Sequence, residues 1–152
     1  MAISVTSSAF NETGMIPTKY TCDGKDVSPQ LAWAGIPVNA QSVALICDDP
    51  DAPVGTWVHW VVYNIPTDTN GLPETSSAEG LPPGILQGLN DWQQAGYQGP
   101  CPPIGNHRYY FKLYALDTVL PDLKHPAKSA LEKSMRGHII ARSELVGRYQ
   151  RQ

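Results

Sequence analysis

The sequence predicts a mainly β fold, a β-sandwich, and three observations favour that class. Residues 42–48 and 57–65 are continuous apolar runs of strand length, and residues 108–117 form a third strong strand segment. Runs that are apolar on both faces are typical of strands in the middle of a sandwich. Dense turn signals, including 14 prolines and 13 glycines, separate the segments, whereas a credible helical pattern occurs once.

The weaker segments fit the same class. Residues 3–10 and 31–33 predict two further strands, and residues 67–105 predict loop with short strands, a length typical of functional loops. A helix is predicted over residues 126–135, because Pro126 suits a first helical turn, Leu131 and Met135 share one face, and Gly137 can end it. Residues 138–149 predict a kinked strand, with a helix as the open alternative.

Length and charge limit the class of protein. The 152 residues fit a single domain over residues 1–152, without repeats or linkers. The net charge of −3 and the lack of a basic block give nucleic-acid binding no electrostatic support. No apolar run is long enough for a membrane span. The first residues lack the pattern of a secretory signal, so we expect a cytoplasmic protein.

The three cysteines have no paired metal-binding spacing. An odd number of cysteines in a cytosolic protein favours free thiols. Cys47 lies inside an apolar run and is predicted to be a buried small hydrophobic residue. Cys22 and Cys101 both lie in turn-rich loops, and the sequence leaves open whether they approach each other.

Polar residues at the ends of the predicted strands are candidates for a site. Asp49 and Asp51 flank Pro50 in a turn that prolines make stiff, so their carboxylates have defined directions. His59 lies within an apolar strand, where a buried imidazole must find a hydrogen-bond partner. The structural alternatives are a loop capped by carboxylates and a core histidine bonded to a backbone carbonyl.

His107 and Tyr109 share one face at the start of the third strand, because side chains alternate along a strand. Two polar groups at the mouth of an apolar stripe suit the rim of a pocket, although both could simply reach solvent. The preceding loop contains Gly99, Pro100 and Cys101. Its backbone could approach a ligand closely, since glycine has no Cβ, and a plain surface turn is the alternative.

Three ordered motifs resemble the phosphatidylethanolamine-binding protein family, also called Raf kinase inhibitor proteins. They are the acidic proline turn at residues 49–53, Trp-Val-His at residues 57–59, and Gly-Asn-His-Arg-Tyr at residues 105–109. Sequences at residues 20–24, 99–103 and 137–149 are similar to the bacterial branch of the family. The resemblance covers nearly the whole chain, and the ordered set is highly specific.

The resemblance implies two antiparallel sheets in a Greek-key β-sandwich, with one or two short helices near the C-terminus and a small pocket at one end. It implies binding of phosphate-like anions or phospholipid head groups, and we assign no catalytic residue, cofactor or metal. The candidate ligand-binding residues are Asp49, Pro50, Asp51, His59, Gly99, Pro100, Cys101, His107 and Tyr109.

The family also implies details of the acidic turn, the assembly and regulation. A cis bond often precedes a proline of this turn, and Ala52–Pro53 is the candidate here. Bacterial relatives suggest a homodimer, and the protein partner is unknown. Val58 stands where animal members carry a second histidine, so regulation of an animal kinase is not carried over, although a kinase-inhibitor-like role stays open.

The hypothesis that follows is recognition rather than turnover. His59, His107 and Tyr109 would donate hydrogen bonds to an anion, while Asp49 and Asp51 accept from the other ring nitrogens. An adjacent carboxylate raises the pKa of a histidine, so we expect tighter anion binding at mildly acidic pH.

Three alternatives stay open. The same groups could perform acid–base hydrolysis of a phosphoester or ester, although the sequence has no Gly-x-Ser-x-Gly elbow. Asp49, His59 and His107 could form a metal-binding face. The chain could also be a protein-interaction module with a vestigial pocket, in which Trp92 forms a pocket lip or a subunit contact.

Overall fold

Two antiparallel sheets form the fold of this computed structural model, which describes residues 2–76 and 80–151. A 3-10 turn covers Thr18–Tyr20, and an α-helix, α1, covers Lys128–Met135. Within the described residues the strands are β1 (Ser4–Thr6), β2 (Leu31–Ala34), β3 (Ser42–Asp49), β4 (Trp57–Ile65), β5 (Gly71–Leu72), β6 (Leu86–Gln87), β7 (His107–Leu116) and β8 (Ile139–Tyr149).

The strand order confirms the predicted sandwich. The small sheet has the order β1-β2-β5 and the large sheet the order β6-β4-β3-β7-β8. The long connection after β4 carries the chain past β3, so that β7 pairs with the other side of β3. α1 precedes β8 near the C-terminus, as predicted, and residues 139–149 form a strand rather than the alternative helix.

The central strands of the large sheet are buried on both faces. All eight residues of β3 are buried. Leu45 faces the core shared with Leu31 of the small sheet. Ile46 faces the opposite way and belongs to a second core with Leu131 and Met135 of α1. This double burial explains why β3 is a continuous apolar run instead of an alternating one.

A buried carboxylate ties α1 to the large sheet. Oδ2 of Asp48 accepts hydrogen bonds from Lys112 of β7 at 3.0 Å and from Lys128 of α1 at 2.7 Å. Only 1% of the Asp48 side chain is exposed, so its charge needs these partners. The cluster therefore fixes the start of α1 against the middle of the sheet.

Strand register brings the polar ends of three strands to one edge. β3 pairs antiparallel with both β4 and β7, so its last residues meet the first residues of both neighbours. Asp49 lies opposite Trp57, and Asp48 lies opposite Tyr110. The acidic turn after β3 therefore lies next to His59 and His107.

Two details of the loops are also settled. The segment between β4 and β7 contributes the two-residue strands β5 and β6, as the loop prediction indicates. The expectation of a cis Ala52–Pro53 bond is wrong, because no peptide bond among the described residues is cis.

In residues 2–76 and 80–151, no helix has both the length and the apolar character to cross a bilayer.

We expect Val62→Ala to lower the free energy of unfolding by about 2 kcal/mol or more, because it removes two buried methyl groups and leaves a cavity. Val62 is 0% exposed in the main core. The matched control is Val38→Ala, at a fully exposed site, which should change stability by no more than about 0.5 kcal/mol. Urea denaturation of both variants tests this, and equal losses would contradict the described core.

Candidate ligand-binding site

A pocket of about 170 Å³ lies at the edge where β3 ends and where β4 and β7 begin. Of the residues predicted from the sequence, Asp49, His59, Cys101, His107 and Tyr109 line it. The structure thus brings three distant segments together around one cavity. The other four predicted residues, Pro50, Asp51, Gly99 and Pro100, lie outside its lining.

His107 is held between two protein acceptors. Its Nδ1 lies 2.7 Å from Oδ2 of Asp49, and its Nε2 lies 3.0 Å from the carbonyl oxygen of Ile104. Both partners are acceptors, so the two contacts can be hydrogen bonds at the same time only when both ring nitrogens carry protons. The expected hydrogen bond from His107 to a bound anion is therefore not available in this arrangement.

Asp49 is hydrogen-bonded on both carboxylate oxygens. Besides the contact with His107, its Oδ1 accepts the Asp51 backbone N–H at 2.7 Å. The residue is 3% exposed, so both carboxylate oxygens are buried with their partners. This carboxylate is already satisfied by the protein, which removes much of its repulsion toward a bound anion.

His59 offers one nitrogen that no described residue uses. Its Nδ1 lies 2.6 Å from the carbonyl oxygen of Gln98. A carbonyl can only accept, so Nδ1 carries the proton and the neutral ring presents a lone pair at Nε2. Burial lowers the pKa of His59 more than the nearby carboxylates of Asp49, Asp26 and Asp48 raise it. The expectation of a raised pKa is wrong for His59.

Tyr109 supplies a buried hydroxyl without a partner among the described residues. The residue is 1% exposed and lines the pocket. Its ring meets the His59 ring edge-on, with centroids 5.2 Å apart, and lies 6.4 Å from the His107 ring. Burial raises the pKa of Tyr109 far above its usual range, so the hydroxyl keeps its proton and can donate it.

Asp51 pairs with Arg108 and not with a histidine, so its predicted role is wrong. Its Oδ1 accepts from Nη2 at 2.7 Å, and its Oδ2 accepts from Nε at 2.9 Å. The guanidinium holds the pKa of the Asp51 carboxyl at about 2. This two-point pair places the Arg108 charge on a carboxylate rather than leaving it free for a ligand.

Gly99 is required by a close contact between two loops. A Cβ there would collide with the backbone carbonyl of Tyr20, and its N–H donates to Oδ1 of Asp26 at 2.7 Å. The Tyr97 hydroxyl donates to the same Tyr20 carbonyl at 2.7 Å. The loop before β7 is thus packed tightly against the loop after the 3-10 turn.

Cys22 and Cys101, whose approach the sequence left open, form a disulfide with their Cα atoms 5.4 Å apart, so the preference for free thiols is wrong for these two. The backbone N–H of Cys22 also donates to the carbonyl of Pro100 at 3.1 Å. The disulfide and this hydrogen bond join the loop that contains Cys22 to the loop that contains Cys101. Among the described residues, Cys47 alone stays free, and it is buried as predicted.

An aromatic wall completes the pocket. Trp92 meets Trp57 edge-on at 5.5 Å between ring centroids and His59 at 5.1 Å. The Trp92 backbone N–H donates to Oδ1 of Asn90, which holds the loop in place. The pocket-lip alternative proposed for Trp92 from the sequence agrees with this position.

Sequence reasoning missed several contributors to the site. The carbonyls of Gln98 and Ile104 fix the two histidines, and Val54 lines the pocket. A backbone carbonyl has no signature in the sequence, so its partner cannot be identified before the loops are placed. The pairing of Arg108 with Asp51 likewise depends on how the turn after β3 meets the start of β7.

The histidines are not arranged as metal ligands. Residues 2–76 and 80–151 contain no group of three or more His, Cys, Asp or Glu side chains that could hold a metal ion. His59 and His107 direct ring nitrogens at carbonyl or carboxylate oxygens of the protein instead.

Comparison with known proteins identifies the family. The family model for phosphatidylethanolamine-binding protein matches residues 6–150, almost the whole chain. The chain belongs to the phosphatidylethanolamine-binding protein family. A UPF0098 protein of Methanothermobacter thermautotrophicus is 53% identical over 144 residues, which cover 94% of this chain and 95% of that protein. A UPF0098 protein of Aquifex aeolicus is 45% identical, over 98% of this chain and 89% of that protein.

Solved structures of this family share the same fold. A phosphatidylethanolamine-binding protein homologue from Chlamydia trachomatis has a TM-score of 0.93 and 42% identity, and the match covers 99% of each chain. E. coli YbcL, described as a member of the mammalian family, has a TM-score of 0.92 and 32% identity over 100% of each chain. These likenesses confirm the family and the sandwich predicted from the sequence.

Reduction of the Cys22–Cys101 disulfide should lower the free energy of unfolding by about 2–4 kcal/mol, because the bond closes a loop between residues 79 apart. Thermal unfolding with and without dithiothreitol measures the loss. The control is the double variant Cys22→Ser/Cys101→Ser, which should show no response to the reductant. Equal melting temperatures for the oxidised and reduced wild-type protein would contradict this prediction.

His59 should make stability depend on pH in a defined direction. Its native pKa lies below the unfolded value of 6.5, so the unfolded chain binds this proton first as the pH falls. The stability that the neutral, buried His59 ring contributes is fully present above pH 6.5, and it is lost as the pH falls through the native pKa.

Urea denaturation between neutral and mildly acidic pH measures this contribution. His59→Gln should flatten part of the pH dependence of stability, whereas His125→Gln, at an exposed histidine, should keep it. Identical slopes for wild type and His59→Gln would contradict the burial account.

Proposed function

We propose that this pocket binds a small phosphate-like anion, or the phosphate-containing head group of a phospholipid, and that it does so without turning it over. The observation that carries the proposal is the buried Tyr109 hydroxyl, which lines the pocket and has no partner in the part of the chain described. An unmade hydrogen bond in a buried site is costly, so such a group suits a role in recognition.

The size of the pocket suits a small group. About 170 Å³ is below the range of roughly 300–1,000 Å³ that is typical of sites for drug-sized ligands. A phosphate or an ethanolamine phosphate is a more fitting occupant than a nucleotide. Any longer part of such a ligand would extend past the mouth of the pocket.

The charges around the pocket favour binding by hydrogen bonds rather than by a cluster of cations. No lysine or arginine lines the pocket in the described part of the chain, and Arg108 is paired with Asp51. Asp49 is paired with His107. A hydrogen bond to an ionised ligand is stronger in such a buried site than in water, which compensates for the missing cations.

The aromatic wall suits the less polar part of a head group. Trp57 and Trp92 line the pocket beside Pro53 and Val54. An aliphatic linker can pack on these side chains, and an ammonium group can lie over an indole face. These features are compatible with the ligand in the family's name.

The pocket favours binding over hydrolysis because it lacks an activated nucleophile. Its lining contains neither serine nor threonine among the described residues. Cys101 is locked in a disulfide, so it has no thiolate to attack a substrate. His107 is likewise held by Asp49 and a carbonyl, which leaves it poorly placed to move a proton.

Tyr109→Phe should weaken the binding of inorganic phosphate by about 10- to 100-fold, because it removes one hydrogen bond to a charged ligand. Stability should be kept, since the lost hydroxyl has no partner in the described protein. The control is Tyr110→Phe, the same change at the next position of β7, whose hydroxyl bonds Arg108 outside the pocket. Calorimetry that gives equal affinity for wild type and Tyr109→Phe would contradict the proposal.

A further inference from the structure

The Tyr109 hydroxyl and the His59 ring offer the pocket hydrogen-bonding groups that no described residue uses, and these two groups differ in kind. The Tyr109 hydroxyl can donate to a ligand oxygen. His59 directs its protonated Nδ1 at the Gln98 carbonyl, so its Nε2 presents a lone pair and can only accept. A ligand that uses both groups must therefore bring an acceptor and a donor.

The remaining side chains of the lining add no free acceptor, because the indole N–H groups of Trp57 and Trp92 are further donors. Both oxygens of Asp49 and both ring nitrogens of His107 are already engaged within the protein. Arg108 is bound to Asp51 by two hydrogen bonds and does not line the pocket. No other charged side chain lines the pocket in residues 2–76 and 80–151.

We propose that the pocket selects oxyanions that carry their own hydrogen-bond donor and discriminates against oxyanions that can only accept. This inference rests on the proposed function and concerns the same pocket. The donor is either the P–OH of a singly protonated phosphate or phosphate monoester, or the ammonium of an ethanolamine phosphate. In each case the donor binds His59 Nε2, while an anionic oxygen accepts from the Tyr109 hydroxyl.

The physical reason is the repulsion between two lone pairs in a buried site. A ligand oxygen without a proton makes no hydrogen bond to Nε2. It also loses its hydrogen bonds to water when it enters the pocket, and nothing replaces them. Sites built to bond a ligand hydrogen reject analogues that lack it far more strongly than apolar pockets reject a change of size. A protonated phosphate and a sulfate have similar shapes, so this donor is the main difference between them.

The groups that face His59 define the pH at which this selection can be tested. The carboxylates of Asp26, Asp48 and Asp49 favour a charged ring, whereas burial between Tyr109 and Trp92 opposes it. The Tyr109 ring lies beside both the His59 ring and the His107 ring. Near neutral pH the effect of burial prevails, so the ring is neutral and Nε2 accepts a hydrogen bond. In acid the ring gains a proton and Nε2 becomes a donor, so the preference for ligands that carry a donor should decrease.

The test is calorimetry on the intact chain at pH about 7, above the ordinary pKa of histidine. The first comparison is inorganic phosphate with sulfate. The second is monomethyl phosphate with dimethyl phosphate, which has the anionic charge but no P–OH. We expect phosphate to bind about 10- to 100-fold more tightly than sulfate, the value of one hydrogen bond to a charged group. The P–OH form of monomethyl phosphate, about a tenth of the compound at this pH, should exceed dimethyl phosphate by the same factor.

A third pair separates the two sources of the donor. Glycerophosphoethanolamine carries ammonium hydrogens, whereas glycerophosphocholine has a quaternary nitrogen without any. Tighter binding of the ethanolamine compound assigns the donor role to the ammonium as well. Both compounds are phosphodiesters without a P–OH, so equal binding of this pair excludes the ammonium as the donor.

The matched variants are His59→Gln and His138→Gln. A glutamine amide offers an N–H as well as an oxygen, so His59→Gln should reduce the preference for phosphate over sulfate by about tenfold. His138→Gln lies at an exposed site and should keep the full preference. If His59→Gln does not fold, the ligand series on the wild-type protein decides the question alone.

The outcomes separate this inference from the proposed function. Equal affinities for phosphate and sulfate, and for monomethyl and dimethyl phosphate, overturn the donor requirement but leave phosphate-like binding intact. Failure of all these compounds to bind overturns both.

Discussion

The hydrogen bond between Asp49 and His107 is the contact on which the pocket depends. It joins the turn after β3 to the start of β7, and both partners are almost fully buried. β3 lies between β4 and β7, so strand pairing alone brings these segments to one edge of the sheet. The side-chain pair then fixes the cavity that the edge leaves open.

Burial gives the two histidines different chemistry. His107 binds acceptors at both ring nitrogens and serves as part of the frame. His59 binds one carbonyl and keeps a lone pair for the pocket, because desolvation disfavours its charged form. Histidines that look equivalent in a motif therefore have different surroundings: His107 is structural, and His59 is the one that we propose for recognition.

Much of the fold could be predicted from the sequence, because β3 and β4 are buried on both faces and therefore read as long apolar runs. The convergence of Asp49, His59, His107 and Tyr109 was predictable from the family resemblance. The Cys22–Cys101 disulfide, the pairing of Asp51 and the carbonyl partners of the histidines were not. They depend on how irregular loops pack, and loops carry no periodic signal.

The central claim is that a ligand meets the free nitrogen of His59. Nitrogen NMR of protein labelled in its histidine rings tests it most directly, since protonated and unprotonated ring nitrogens resonate apart. The account predicts a protonated Nδ1 and an unprotonated Nε2 for His59 near neutral pH, with a large shift of the Nε2 signal when phosphate is added. A protonated Nε2 in the free protein, or an Nε2 signal that stays unchanged at saturating phosphate, would contradict it.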